Sequence, residues 1–155
     1  MLNIIIDTRE QEVTFLFKSY PDVITTFKKL DTGDFTCVNC EHIVTIDRKS
    51  SSNELQKNLG MDSKRFNKEL ERMRSITYCY FVCCFPYSHL EEFPVNSGIP
   101  KNRWKYLKVK GPYLRRRVKE IEEEYPNIKF IFCNNLSEGE NITYQILKEH
   151  TSGQE

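Results

Sequence analysis

The feature that most restricts the fold is a continuous apolar run at residues 77–85, TYCYFVCCF. A run without polar alternation is typical of a strand covered on both faces, as in α/β proteins. Two further runs, LNIII at 2–6 and IKFIFC at 128–133, predict two more buried strands. With 155 residues, the chain is long enough for one compact domain with a real core.

Helical patterns separate and follow these strands. Capping signals and apolar residues at helical spacing locate them. The predicted helices are a short one over 12–20, one after Ser51 that Gly60 ends, one from Asp62 or Ser63 with Phe66, Leu70 and Met73 on one face, one from Pro112 to about Tyr125, and one over 137–150. Residues 86–111, rich in Pro and Gly breaks, predict a long loop or lid.

The first third of the chain is rich in strand patterns. VITTFKKL at 23–30 predicts a strand, and FTC and HIVTI predict a hairpin around VNCE. Strands then alternate with helices, which favours one α/β domain with a mixed central sheet flanked by helices on both faces. We place this domain at residues 1–150 and expect 151–155 to be a disordered tail.

Composition and cysteine usage bound the cellular setting. Apolar residues make up 39% of the chain, which predicts a globular protein. No apolar run reaches membrane-spanning length, and the N-terminus lacks the basic region of a signal peptide. The six cysteines lie mostly in apolar runs, which favours reduced, buried thiols over disulfides. We therefore expect a cytoplasmic protein without a membrane partner.

A paired-cysteine element raises the alternative of a zinc site. Cys37 and Cys40 have CxxC spacing, and His42 follows closely. A structural zinc ion needs four ligands, and no second CxxC or HxxxH pair completes the set. Zinc remains an alternative for this stretch.

Residues 101–119 form a second unusual stretch, with nine Lys or Arg residues and no acid. One interpretation is a solvated face whose charge is compensated by the four glutamates of 120–124. The other is a phosphate-tracking patch with interleaved aromatic residues for base stacking. The candidate DNA-binding residues of this stretch are Lys101, Arg103, Trp104, Lys105, Lys108, Lys110, Arg115 and Arg116.

The predicted hairpin carries the strongest chemical signal. Asp34 closes the turn before one strand, and Asp47 and Lys49 are two apart on the next, so that their side chains share a face while Arg48 points away. Two converging carboxylates suit Mg²⁺ or Mn²⁺, and a lysine beside them suits phosphodiester hydrolysis. The alternative is a strand pair with ordinary charged ends.

Three ordered blocks resemble the nuclease domain of the XPF family. Gly33-Asp34 followed by Asp47-Arg48-Lys49 is similar to its GD…ERK signature. The stretch IIIDTRE is similar to the strand upstream of that signature, and the helical stretch that contains Arg65-Phe66 to the one downstream. The resemblance covers nearly the whole chain.

The resemblance implies a restriction-endonuclease-like fold, of the PD-(D/E)xK type, and Mg²⁺- or Mn²⁺-dependent endonucleolytic cleavage of DNA. The substrates it implies are branches, flaps or junctions between single and double strands, in repair, recombination or replication. It also implies roles for individual residues: Asp7, Asp34 and Asp47 as metal ligands, Glu10 as a further catalytic acid, Lys49 as the catalytic lysine, and Arg9, Arg48 and Arg65 as phosphate contacts or braces.

The chain departs from the family pattern in three places. Asp47 stands where the family usually has Glu, and Asn53 where it has its last Asp. The tandem helix-hairpin-helix module common in the family is missing, which predicts a stand-alone enzyme of phage or bacterial type, in the cytoplasm of a bacterium or of a phage-infected host. A homodimer is also expected from the resemblance. The alternative function is a catalytically inactive DNA-binding or partner subunit of the same fold.

Overall fold

The computed structural model describes residues 1–10 and 15–152. Its strands are β1 Leu2–Ile6, β2 Val23–Phe27, β3 Phe35–Cys37, β4 Val44–Lys49, β5 Tyr78–Cys83 and β6 Ile128–Phe132. Its α-helices are α1 Ser52–Gln56, α2 Ser63–Met73, α3 Tyr87–Glu91, α4 Gly111–Glu124 and α5 Leu136–Ser152. A π-helical turn, Lys57–Met61, follows α1, and a 3₁₀ helix, Lys101–Tyr106, precedes α4.

The six strands form one mixed sheet in the order β2-β1-β3-β4-β5-β6. Strand β3 is antiparallel to both of its neighbours, whereas β2 runs parallel to β1, and β4, β5 and β6 run parallel to one another. The ends of β1 and β4 and the beginning of β3 therefore lie at the same edge of the sheet. This edge collects residues that are far apart in the sequence.

Each face of the sheet has its own apolar core, as the mixed-sheet prediction requires. On one face, α1, α2 and α4 pack on β5 around the stacked rings of Phe81 and Phe130. On the other face, Leu147 of α5 packs with Phe15 and Phe35 against β1, β3 and β4. The predicted apolar face of α2 is confirmed, since Phe66, Leu70 and Met73 are all buried.

Three local predictions are wrong. The helix that begins after Ser51 does not end at Gly60. It continues through the π-helical turn, which closes with a hydrogen bond from Asp62 N–H to Lys57 C=O. Residues 15–20 are not helical, because Phe17 has a φ of 55°, in the left-handed region. The segment 86–111 is not a plain loop, since it contains α3 and the 3₁₀ helix. Residues 12–14 of the first predicted helix lie outside the described residues.

Helix α5 continues two residues beyond the predicted end at 150 and reaches Ser152. The remaining three residues, 153–155, lie outside the described residues. Among the described residues, no helix combines the length and apolar character that a membrane span requires.

Candidate active site

Backbone pairing brings three acidic residues together at the sheet edge where β1 and β4 end. The register that pairs Phe35 with Ile46 sets Asp34 beside Asp47. Asp34 N–H donates to the carbonyl of Ile46 at 2.8 Å, and Asp7 N–H donates to the carbonyl of Asp34 at 2.8 Å. The three carboxylates therefore begin from neighbouring strand ends that the sheet fixes in position.

Gly33 makes this arrangement possible. Its φ is 78°, and a Cβ built on it would lie 2.0 Å from Thr45 Oγ1. A side chain here would meet both backbone strain and a steric clash with β4. The glycine of the Gly33-Asp34 pair is thus explained by the close approach of the turn to the neighbouring strand.

A cleft of about 310 Å³ opens at this edge, between the strand ends and α2. Five acids and three arginines line it, together with a glycine. The lining residues are Asp7, Arg9, Asp31, Gly33, Asp34, Asp47, Arg65, Glu69 and Arg72. Among the candidates identified from the sequence, the structure brings Asp7, Asp34, Asp47, Arg9 and Arg65 to one cavity.

Lys49 lies behind the cleft as a buried ion-pair partner of Asp47. Its Nζ is 3.1 Å from Asp47 Oδ1, and both side chains are 8% exposed. The rings of Phe66 and Phe81 lie 5.7 and 5.8 Å from the same Nζ. Burial lowers the pKa of Lys49, but the charge of Asp47 and of more distant acids outweighs it, so that the pKa is raised and the ammonium is kept.

Asp34 is buried close to other acidic residues. Burial and the negative charges of Asp47 and Glu10 raise its pKa well above the usual range of a carboxyl. Its Oδ2 accepts a hydrogen bond from Arg48 N–H at 2.8 Å, which fixes the orientation of the carboxylate against β4. Placing several carboxylates this close together costs electrostatic free energy unless a cation binds among them.

Sequence reasoning missed Glu69, a fourth acid near Asp34 and Asp47. This residue comes from α2 and hydrogen-bonds Asp47; burial and the charge of Asp47 raise the pKa of Glu69 to about 8. One signal was available in the sequence, because Arg65, Glu69 and Arg72 recur at helical spacing and all three line the cleft.

Arg9 and Arg48 each hold one of the predicted acids in position, Asp7 and Glu10 respectively. Arg9 Nε donates to Asp7 Oδ2 at 2.6 Å, and Asp7 Oδ1 accepts from Leu30 N–H at 2.8 Å. Arg48 Nη2 pairs with Glu10 Oε2 at 2.9 Å, and its guanidinium lies 5.8 Å from the ring centre of Phe15. Arg48 therefore points away from Lys49, as the alternation along a strand predicted.

Metal-binding geometry is not formed in this arrangement. Within residues 1–10 and 15–152, no three His, Cys, Asp or Glu side chains lie close enough to hold a metal ion. In the cleft, Lys49 and Arg9 occupy carboxylate oxygens of Asp47 and Asp7. The donor types nevertheless fit a hard divalent cation, because the five acids that line the cleft supply carboxylate oxygens.

The cysteine pair and Asn53 lie apart from this chemistry. Cys37 and Cys40 are free thiols in the apolar core beside α5, and burial raises the pKa of Cys37 to about 12. Asn53 Oδ1 accepts from Gln56 Nε2 at 3.0 Å within α1. Ser51 caps that helix as predicted, accepting from Glu54 N–H at 3.2 Å.

The basic segment, defined here as residues 101–116, is exposed, but much of its charge has local partners. Lys101 and Lys105 lie over the rings of Trp104 and Tyr106. Arg115 and Arg116 of α4 pair with Glu91 and Glu120, both at 3.4 Å. Trp104 is half-buried and donates from Nε1 to the carbonyl of Ile99 at 2.9 Å. Arg103, Lys108 and Lys110 are exposed and form no ion pair with a described residue.

Comparison with known proteins places this geometry in a family. The ERCC4 domain model matches residues 6–146, whereas a comparison with curated proteins gives no match. Two solved structures are similar: XPF from Aeropyrum pernix, with a TM-score of 0.71 over 96% of this chain, and the same protein in complex with DNA, with 0.70 over 99%. Both are 14% identical to this chain, which spans 61% and 66% of their lengths.

The structural similarity confirms the predicted restriction-endonuclease-like fold. The family match begins at the last residue of β1 and extends over the β3–β4 hairpin, α2 and most of α5, so that it includes every acid of the cleft. The chain therefore belongs to the ERCC4-domain family, as its resemblance to XPF nucleases predicted.

Proposed function

We propose that the chain is a metal-dependent endodeoxyribonuclease that hydrolyses phosphodiester bonds in branched, flap or junction DNA. One observation carries the proposal: Asp34 and Asp47 of the β3–β4 hairpin line one polar cleft, and Lys49 of the same hairpin is ion-paired to Asp47 behind it. The family match and the DNA complex of the similar XPF protein support DNA as the partner.

Asp34 and Asp47 would hold a Mg²⁺ or Mn²⁺ ion, and Asp7 and Glu69 add carboxylate oxygens to the same cleft. Such an ion would activate a water molecule and offset negative charge on the phosphate. Its presence would also offset the repulsion of the acids, which together with the larger effect of burial raises the pKa of Asp34.

Lys49 acts as a fixed positive charge in this mechanism. It is held by Asp47 and lies buried beside two aromatic rings, so that water screens its charge weakly. A preorganised ammonium stabilises the charge that develops on the phosphorane in the transition state. Lys49 keeps its proton in the folded protein, which favours this electrostatic role over deprotonation of the attacking water.

Arg65 and Arg9 line the cleft and orient the substrate in different ways. Arg65 is exposed at the mouth of the cleft and is free of ion pairs with described residues, so that it is available to a phosphate. Arg9 has one hydrogen bond to Asp7 and another to the carbonyl of Leu30, so that its first task is to hold the turn after β1.

A cleavage assay tests the proposal. The protein is incubated with labelled duplex, flap, splayed-arm and four-way-junction DNA in Mg²⁺, Mn²⁺ or EDTA. We expect cleavage of the structured substrates with either metal and none in EDTA. The Lys49→Ala variant should lose activity by about 10³-fold, the scale for removal of one preorganised group that stabilises the transition state.

Lys148→Ala is the matched control, because Lys148 lies on α5 beside Tyr144 and Asp22, outside the cleft. Binding of structured DNA without cleavage in any metal would instead favour the alternative, an inactive partner subunit. Cleavage that survives Lys49→Ala would remove the assigned site and leave the function standing. Sedimentation of the same samples tests the expected homodimer.

A further inference from the structure

We infer that a single DNA strand leaving the cleft follows a second groove, which runs along the β3–β4 hairpin beneath the end of α2. This inference rests on the proposed function and names the path of its substrate. The groove has a volume of about 510 Å³ and shares Asp31 and Arg72 with the cleft, so that the two cavities adjoin each other.

The hairpin groove is bounded by three elements. The loop after β2, with Lys28 and Lys29, forms one side, and Arg72 and Ser75 at the end of α2 form the other. Its floor includes Thr36 and Thr45 on β3 and β4. The groove thus begins at the edge with the candidate catalytic residues and reaches the opposite end of the hairpin. We infer a single backbone as the occupant, because a volume of about 510 Å³ is too small to enclose a duplex.

The floor of the groove is electrically neutral. Thr36 Oγ1 donates to the carbonyl of Val44 at 2.6 Å, and Thr45 Oγ1 donates to the carbonyl of Thr32 at 3.2 Å. These hydroxyls are already satisfied by the hairpin. The charge that a ligand would meet therefore comes from the two sides.

Two side chains on the sides carry available positive charge. Lys29 and Arg72 are both exposed, and neither forms an ion pair with a described residue, although Arg72 acts electrostatically on Glu69. They come from different elements and face the same groove. Cations without partners are the ones that release counterions when a phosphate replaces the solvent.

Two acids also line the groove and limit its affinity. Glu41 lies at the far end, where its Oε1 is 3.8 Å from Lys28 Nζ, and Asp31 lies at the junction with the cleft. Glu41 therefore partly offsets the charge of Lys28 in the free protein. We expect weak, salt-sensitive binding of a strand that the cleft also holds, and not tight binding by the groove alone.

The test measures binding in EDTA, where cleavage cannot interfere. Fluorescence anisotropy of a labelled single-stranded oligonucleotide is titrated at several salt concentrations with the unaltered protein and with the double variant Lys29→Ala/Arg72→Ala. The double variant should bind several-fold more weakly. Its slope of log affinity against log salt should flatten by about 0.7 for each lost phosphate contact. Duplex binding should change less than single-strand binding.

Three controls keep the inference open to refutation. The charge-keeping variant Lys29→Arg/Arg72→Lys should retain the slope, and Glu41→Gln, which frees Lys28, should tighten binding. Lys148→Ala, on α5 beside Asp22 and Tyr144, should leave single-strand binding unchanged. If the unaltered protein binds DNA and Lys29→Ala/Arg72→Ala leaves the slope unchanged, the inferred path along the groove is wrong and the proposed function still stands. Failure of the unaltered protein to bind any DNA would overturn the proposed function with it.

Discussion

The cleft and the basic segment are opposite ways of gathering charge. The acids of the cleft come from four separate parts of the chain, yet the sheet edge and α2 bring them around one cavity. The basic residues are contiguous in the sequence, yet they spread over a 3₁₀ helix, a connecting stretch of chain and α4. Several of them are paired with neighbouring acids or lie over aromatic rings.

Density of charge in the sequence is therefore a poor guide to free charge in space. Along a surface helix, arginines find acids one turn away, as Arg116 and Arg117 both do at Glu120. In the cleft, the sheet register leaves no such freedom, so the acids stay together despite their repulsion. Four sets of substitutions test this contrast.

The largest effect is expected for Asp34→Asn. Asparagine keeps an acceptor for the Arg48 N–H but removes the charge, so cleavage should fall by about 10³-fold. In EDTA the variant should unfold at a higher temperature than the unaltered protein, because one repelling carboxylate is gone. Cleavage assays and thermal unfolding measure the two effects. Asp22→Asn, beside Tyr144, is the control that should leave cleavage unchanged.

A smaller loss is expected for Glu69→Gln. Groups that support a ligand through a hydrogen bond change metal affinity or activity by about 10–100-fold, and Glu69 supports Asp47 in this way. Calorimetric titration with Mn²⁺ and cleavage rates would both report the change. Glu71→Gln is the matched control on the same helix, since Glu71 pairs with Arg74 and Tyr125 outside the cleft. Equal effects of the two substitutions would contradict a role for Glu69 in the cleft.

The geometry of the cleft is expected to depend on Gly33. The Gly33→Ala substitution adds a clash with Thr45 to the strain of a positive φ, and should lower the free energy of unfolding by about 2 kcal/mol or more. Gly98→Ala separates the two causes, because Gly98 also has a positive φ but no atom lies within 4 Å of the position that a Cβ would take there. It should cost about 1 kcal/mol. Denaturant unfolding measures both, and equal costs would mean that the clash is relieved by movement of β4.

The smallest effect concerns the basic segment. Lys108→Ala/Lys110→Ala removes two exposed charges without ion-pair partners among the described residues, so each lost phosphate contact should flatten the salt slope of duplex binding by about 0.9. Arg115→Ala/Arg116→Ala should flatten it less, because these arginines must first leave Glu91 and Glu120. Anisotropy titrations at several salt concentrations compare the pairs. A larger effect of the arginine pair would show that their ion pairs open freely on DNA.

Much of the fold could be predicted from the sequence, because its strands and helices carry strong periodic signals. The uninterrupted run that forms β5 and the apolar spacing of Phe66, Leu70 and Met73 in α2 are of this kind. The local predictions at Gly60 and Phe17 were wrong, because tertiary packing decides whether a helix continues or the chain turns. The order of strands in the sheet was outside the reach of periodicity.

The candidate site was predictable where its residues share one hairpin. Asp34, Asp47 and Lys49 are linked by the short-range pairing of β3 and β4, so a two-residue period was enough to orient them. Glu69 was not found, since a glutamate on the polar side of an amphipathic helix looks the same in sequence whether it faces water or a cleft. Only the docking of α2 on the sheet distinguishes the two.

The contact between Gly111 and Glu91 has a consequence for how this domain can vary. A Cβ on Gly111 would lie 1.9 Å from the carbonyl oxygen of Glu91, so the two ends of the intervening segment touch. Residues 92–110 therefore form a closed excursion. Phe93 anchors it in the apolar core, and its exposed part can change in length at a modest cost in loop-closure entropy. The domain is modular in this respect: new surface can be added at 92–110 while the hairpin that carries the chemistry stays as it is.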